Sequence, residues 1–198
     1  MIERDLSYAG PLCGRATRVV KLRGFDYVTV RRIFPSVDER RIVEIYSILG
    51  GTPHYLLMYD HSKDLHENIV RLFLERGAPL YEEAERMLQT ELREPIRYLE
   101  IMEAIAMGKL TLKEISDYRV IERTKLKKYI LTLEKMDIIG KEPTIMKTRV
   151  PRYQLLDNFF SFYMRFINPM KDRIEFWSNR VCNSGYNEKL TNLLRACI

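Results

Sequence analysis

Apolar residues in this chain recur mostly at helical spacing, interrupted by short segments that alternate. Arg18-Val19-Val20-Lys21-Leu22-Arg23 alternates enough to predict a short strand, which Gly24 ends. Ser36-Val37-Asp38-Glu39 has the form of a capping box, a hydroxyl facing the third helical N–H and a carboxylate reaching back. It predicts a helix with Ile42, Ile45, Tyr46 and Leu49 on one face, closed by Gly50-Gly51, since glycine takes a left-handed cap without a Cβ clash. Thr52-Pro53 restarts a helix through Leu57, with proline at the first helical position, where its missing N–H costs nothing. Further helices are expected from about 64 to 75 and 80 to 93, the second acidic in its first turn at Glu82, Glu83 and Glu85.

Pro95 marks a boundary. Beyond it Tyr98, Ile101, Met102 and Ile105 repeat at helical spacing up to Gly108, and Thr111-Leu112-Lys113-Glu114 is a second capping box opening a very short helix. A third helix, from about Glu122 to Lys135, buries Leu126, Tyr129, Ile130 and Leu133. The apolar Met136 to Gly140, a polar excursion from Lys141 to Arg152 and a strand-like Tyr153 to Leu156 complete the order of a winged helix-turn-helix. Phe159, Phe162, Tyr163 and Phe166 then fall at i, i+3, i+4, i+7, which favours a packed amphipathic helix over a platform for stacking bases. A weaker helical pattern follows around Leu190, Leu193 and Leu194.

The 198 residues are 46% hydrophobic and 30% charged, which excludes disordered and collagenous classes. No apolar run approaches the roughly 18 residues of a spanning helix, and Met1-Ile2-Glu3-Arg4-Asp5 lacks the order of a signal peptide. The expected location is the cytoplasm, with Cys13, Cys182 and Cys197 as reduced thiols. His54, His61 and His66 are irregularly spaced and predict no metal site. Charge is uneven. Residues 1–95 carry 14 Lys and Arg against 15 Asp and Glu, whereas 96–198 carry 19 against 12. Residues 119–152 alone hold ten basic and four acidic residues, the footprint of a polyanion partner.

On the third helix the core stripe leaves Thr124, Lys125, Lys128, Thr132 and Lys135 on or near the opposite face, with Lys127 at its edge. That is where a recognition helix meets duplex DNA, and the candidate contacts are Arg123, Thr124, Lys125, Lys127 and Lys128 with Lys141, Lys147, Arg149 and Arg152 on or near the wing. The other reading of such a face is a solvated one. Catalytic patterns are missing: neither Gly108-Lys109 nor Gly140-Lys141 belongs to a phosphate loop, and no Glu-x-Lys or Gln-x-Lys triplet of restriction-type nucleases occurs.

Several segments resemble, in order and spacing, landmarks of the archaeal AAA-type ATPases. They are Gly10-Pro11-Leu12-Cys13-Gly14-Arg15-Ala16-Thr17, Gly50-Gly51-Thr52-Pro53-His54-Tyr55-Leu56, Pro79 to Glu83 with Glu91 to Pro95, Ile105 to Gly108, and Arg152 to Phe166. The resemblance covers about residues 6–176 and implies a mainly α chain with a small strand remnant of an α/β ATPase core. The implied division is 1–35 core remnant, 36–94 helical lid, 95–157 winged helix-turn-helix and 158–198 aromatic helix and tail. ATP and Mg belong to the full-length family. This chain looks like a piece lacking the phosphate loop, so no cofactor and no ATP hydrolysis are expected of it.

By the same resemblance Arg15 takes the place of the arginine after the sensor strand, while Gly51 and Pro53 form the turn whose proline packs on adenine. These three would bind nucleotide only beside a phosphate-loop core, and Cys13 stands where an aromatic residue is common. The expected function is the lid and DNA-binding portion of an archaeal ATPase. The alternatives are an autonomous winged-helix DNA-binding regulator and a regulatory protein-interaction module. Residues 1–32 are expected to be unstable alone or held by a second copy or a phosphate-loop domain, because a lone strand leaves unpaired N–H and C=O groups.

Overall fold

A computed structural model of the chain describes residues 22–75, 77–143 and 150–180, with side chains described as far as residue 175. Among them the protein is mainly helical, with one two-stranded antiparallel sheet, and no helix is long and apolar enough to cross a membrane. Arg18 to Lys21 of the expected strand lie outside the described residues, and Leu22 and Arg23 belong to no strand. They lead instead to a helix the pattern did not predict, α1 (Tyr27–Ile33), capped by the Asp26 carboxylate, which accepts from the Thr29 N–H at 2.8 Å.

α2 (Glu39–Leu49) buries Ile42, Ile45 and Leu49 as its spacing predicts. Its cap differs from the expected one: Ser36 sits in a turn, and the Asp38 carboxylate accepts from the Arg41 N–H at 3.1 Å. A carboxylate at that position reaches the free N–H groups directly, so the helix starts two residues later than a Ser36 cap would set it. Gly50 ends it at φ +64°, a conformation that favours glycine. α3 (Pro53–Leu57) follows at once, with Thr52 and Pro53 as its start.

α4 (Leu65–Ile69) opens on a true capping box between Asp64 and Glu67 and widens into a π turn over Val70–Leu74. Asn68 is buried in the last turn of α4. Its Nδ2 donates to the Asp60 and Asp64 carbonyls, each at 2.9 Å, and its Oδ1 accepts from the Asp60 N–H at 2.9 Å and the Arg71 guanidinium at 3.2 Å. α5 (Glu83–Glu91) completes this half.

The second half consists of α6 (Pro95–Ala106), α7 (Leu112–Arg119) and α8 (Arg123–Lys135), then β1 (Ile139–Lys141) paired with β2 (Tyr153–Leu155). The register sets Ile139 opposite Leu155 and Lys141 opposite Tyr153. The aromatic segment is α9 (Asn158–Phe162), a π turn over Tyr163–Ile167 and a short tight turn, before α10 (Lys171–Arg180). The pattern around Leu190 to Leu194 lies outside the described residues.

Both halves share one continuous hydrophobic cluster, from Val30 to Ile174. α9 is the wedge between them: Phe159 lies 4.8 Å from the Tyr55 ring, and Asn158 Nδ2 donates to the Tyr46 carbonyl at 3.0 Å. Each fully buried Leu, Ile or Phe of such a cluster stabilises the fold by about 1.5–3 kcal/mol relative to exposure. Tyr163, fully buried, donates its hydroxyl proton within a group formed by the Tyr81 carbonyl and the Glu85 carboxylate, and Lys171 pairs with the same carboxylate. Burial first, then the Glu85 charge, pushes the Tyr163 phenol far above its usual range.

Candidate nucleic-acid interface

α8 is held by two devices, and the helix before it by a third. Leu126, Ile130 and Leu133 are buried on its inner face. At its edge the Tyr129 ring meets Tyr98 at 5.0 Å, and its hydroxyl donates to the Glu94 carboxylate at 2.6 Å. That bond, more than burial, raises the Tyr129 phenol above its ordinary value. At the N-terminal end, α7 is fixed by the capping box predicted at Thr111 and Glu114. The Thr111 N–H and hydroxyl both reach the Glu114 carboxylate, at 2.9 Å each, and hold that carboxyl below its usual value.

The turn from α7 to α8 is locked from inside by Ser116, whose hydroxyl donates to the Ile121 carbonyl at 2.7 Å. It passes through Val120 at φ 51°, ψ 44°, with its side chain 92% exposed. A β-branched residue in that region is strained, and here its side chain gains no packing in return.

Arg123, Thr124, Lys125, Lys127 and Lys128 are all exposed, and the four cations make no ion pair among the described residues. At 3.6 residues per turn, Thr124, Lys128, Leu131 and Lys135 run along the middle of the outward face, with Lys125 on one flank and Lys127 and Arg123 on the other. The sequence pattern missed Leu131, which is 56% exposed at the centre of this cationic face. Only its position off the core stripe signalled it.

The residues expected on or near a wing are less free than the sequence suggested. Lys141 pairs with Glu134 at 3.7 Å, and Arg152 pairs with Glu142 at 2.7 Å, because the antiparallel register carries residues 142 and 152 side by side. Exposed pairs of this kind contribute about 0–1 kcal/mol, so a polyanion can compete for both cations. Lys147 and Arg149 lie outside the described residues.

Of the three expected nucleotide contacts, Arg15 also lies outside the described residues. Gly51 has a structural role: the Phe25 N–H donates to its carbonyl at 2.7 Å, and a Cβ there would fall 1.9 Å from the Phe25 carbonyl oxygen. Pro53 is exposed at the start of α3. A cavity of about 550 Å³ opens nearby between the Leu74–Glu83 loop and α10, with His54 on its wall. Glu75, Glu82, Glu83 and Glu175 line it against one cation, Arg86, which pairs with Glu83, so the excess negative charge repels a phosphate rather than holds one.

No known family pattern matches the chain, and no solved structure matches it. A protein of Methanocaldococcus jannaschii, whose printed name is Uncharacterized protein MJECL04, is 34% identical over 183 residues. The alignment takes in 88% of this chain and 40% of that relative, so the chain spans about two-fifths of the relative's length.

Proposed function

We propose that the protein is the lid and winged-helix portion of an archaeal AAA-type ATPase, and that α6, α7, α8 and the β1–β2 hairpin bind duplex DNA. Its own chain supplies no phosphate loop and no hydrolysis. The observation that carries the DNA reading is the outward face of α8, where Arg123, Lys125, Lys127 and Lys128 stand exposed and without carboxylate partners among the described residues. The helix–helix–helix–hairpin order around that face supports a winged helix, whose third helix enters the major groove. Lysine binds phosphate as a point charge, so affinity exceeds specificity in this reading.

Titration of duplex DNA at several salt concentrations tests it. Neutralising about four to six phosphates gives a slope of log affinity on log salt of roughly −4 to −5. Replacing Lys125 and Lys128 together by Ala flattens the slope by up to about 2 and weakens unrelated sequences alike. Both side chains are exposed, so the fold survives the change. Absence of binding at low salt, or binding indifferent to the double substitution, overturns the reading and leaves a regulatory protein-interaction module ahead.

A further inference from the structure

The middle row of α8 combines two cations with an apolar side chain left largely uncovered among the described residues. Leu131 is 56% exposed, flanked along the helix by Lys127, Lys128 and Lys135 and preceded seven residues earlier by Thr124, which presents a methyl group on the same line. A helix with its side chains is about 10–12 Å across and fills a major groove about 12 Å wide. Seated there, the flanks carrying Lys125 on one side and Lys127 and Arg123 on the other meet the two phosphate walls. Leu131 and the Thr124 methyl of the middle row meet the base edges, while the long Lys128 side chain, nearer the Lys125 flank, reaches the phosphate wall on that side. Thr124 and Leu131 are about 10.5 Å apart along the axis, which spans about three base-pair steps.

On the groove floor the apolar feature is the C5-methyl of thymine, and a branched aliphatic side chain contacts it without needing a hydrogen-bond partner. Resting on the DNA reading above, we infer that Leu131, assisted by the Thr124 methyl, is a specificity-determining residue that reads pyrimidine C5-methyl groups in the major groove. The lysines fix the helix on the phosphates. Leu131 supplies the discrimination they lack. An arginine or asparagine reader makes bidentate bonds that name one base. An aliphatic one rewards any C5-methyl, on thymine or on 5-methylcytosine.

The test compares duplexes that differ by that methyl alone. One pair is an alternating adenine–thymine duplex and the same duplex with uracil for every thymine; the other is an alternating guanine–cytosine duplex with cytosine or 5-methylcytosine. The protein is expected to bind the methylated member of each pair about three- to tenfold more tightly, the worth of one or two buried methyl groups. Leu131→Ala is expected to bind both members of each pair equally, with the salt slope and thermal unfolding unchanged.

Equal binding of methylated and unmethylated duplexes by the unaltered protein, with a normal salt slope, overturns the inference and leaves the DNA reading standing. A methyl preference that persists in Leu131→Ala also overturns it, since the preference then comes from duplex shape. No binding to any of the four duplexes at low salt overturns the DNA reading itself. If in addition Leu131→Ala abolishes self-association seen by sedimentation, the exposed leucine belongs to a protein interface.

Discussion

Asn68→Asp changes one atom type at the centre of the first half and leaves shape unaltered. In the protein as it is, Asn68 is 1% exposed and every polar atom of its side chain is engaged. The substitution puts a carboxylate oxygen where Nδ2 now donates to the Asp60 and Asp64 carbonyls, so two donors become one acceptor facing two acceptors. Losing two bonds at about 0.5–1.5 kcal/mol each, and leaving a buried oxygen unsatisfied at about 1–3 kcal/mol, totals about 2–6 kcal/mol, which the nearby Arg71 charge brings to about 2–5 kcal/mol. Asn68→Ala loses these two bonds and also the two that Oδ1 accepts from the Asp60 N–H and the Arg71 guanidinium, and is destabilised at every pH. With a urea slope of about 2 kcal/mol per molar, the midpoint for the Asp variant falls by about 1–2.5 M at pH 7. The introduced carboxyl is held above its unfolded value, so its protonated form stabilises the fold at low pH and the benefit is lost as pH rises. The gap to the unaltered protein therefore narrows toward pH 4. Urea unfolding followed by circular dichroism at the two pH values measures this. An Asp variant as stable as the parent at pH 7 refutes the bonding scheme.

Burial raises the Asp157 carboxyl above its ordinary value, against the pull of the Phe160 and Phe159 N–H groups. A raised folded value favours the protonated form, whose stabilisation is complete below the unfolded value near 4 and is lost as pH rises through the folded one. Asp157→Asn, which keeps the cap acceptor without the charge, is expected to be more stable than the parent at pH 7. That advantage vanishes in urea melts near pH 3.5. Val120→Gly relieves about 1–2 kcal/mol of left-handed strain against about 0.4–1 kcal/mol of unfolded-chain entropy. It is expected to raise the thermal midpoint by a few degrees. Gly51→Ala forces the Phe25 and Gly51 backbones apart and is expected to cost about 1–3 kcal/mol in the same assay.

Elements built from local rules were legible in the sequence. The Thr111–Glu114 box, the Pro53 start, the Gly50 stop and the inner stripe of α8 each depend on residues within a turn or two of one another, and each stands where the pattern put it. α1 escaped because Tyr27, Val28 and Thr29 favour strands and only Val30 and Phe34 are buried there, too few to set a period. The π turns at Val70 and Tyr163 add a residue to the repeat, so Phe160 and Met164 are buried as well as the stripe begun by Phe159. In the candidate interface the exposed lysines were legible, while the Lys141–Glu134 and Arg152–Glu142 pairs were not, since register across a hairpin sets the second. Leu131 stayed hidden because a single apolar residue off the stripe carries no periodic signal.

β2 ends at Leu155 and α9 begins at Asn158, so two residues separate the hairpin's returning strand from the helix wedged between the halves. One of them, Asp157, is the cap of that helix, and the other, Leu156, donates its N–H to the Ile138 carbonyl across the hairpin at 2.8 Å. No slack exists in this connection. Any force on the β1–β2 hairpin therefore passes within two residues into α9, whose Phe159 ring packs 4.8 Å from that of Tyr55, so hairpin and aromatic core are strained together.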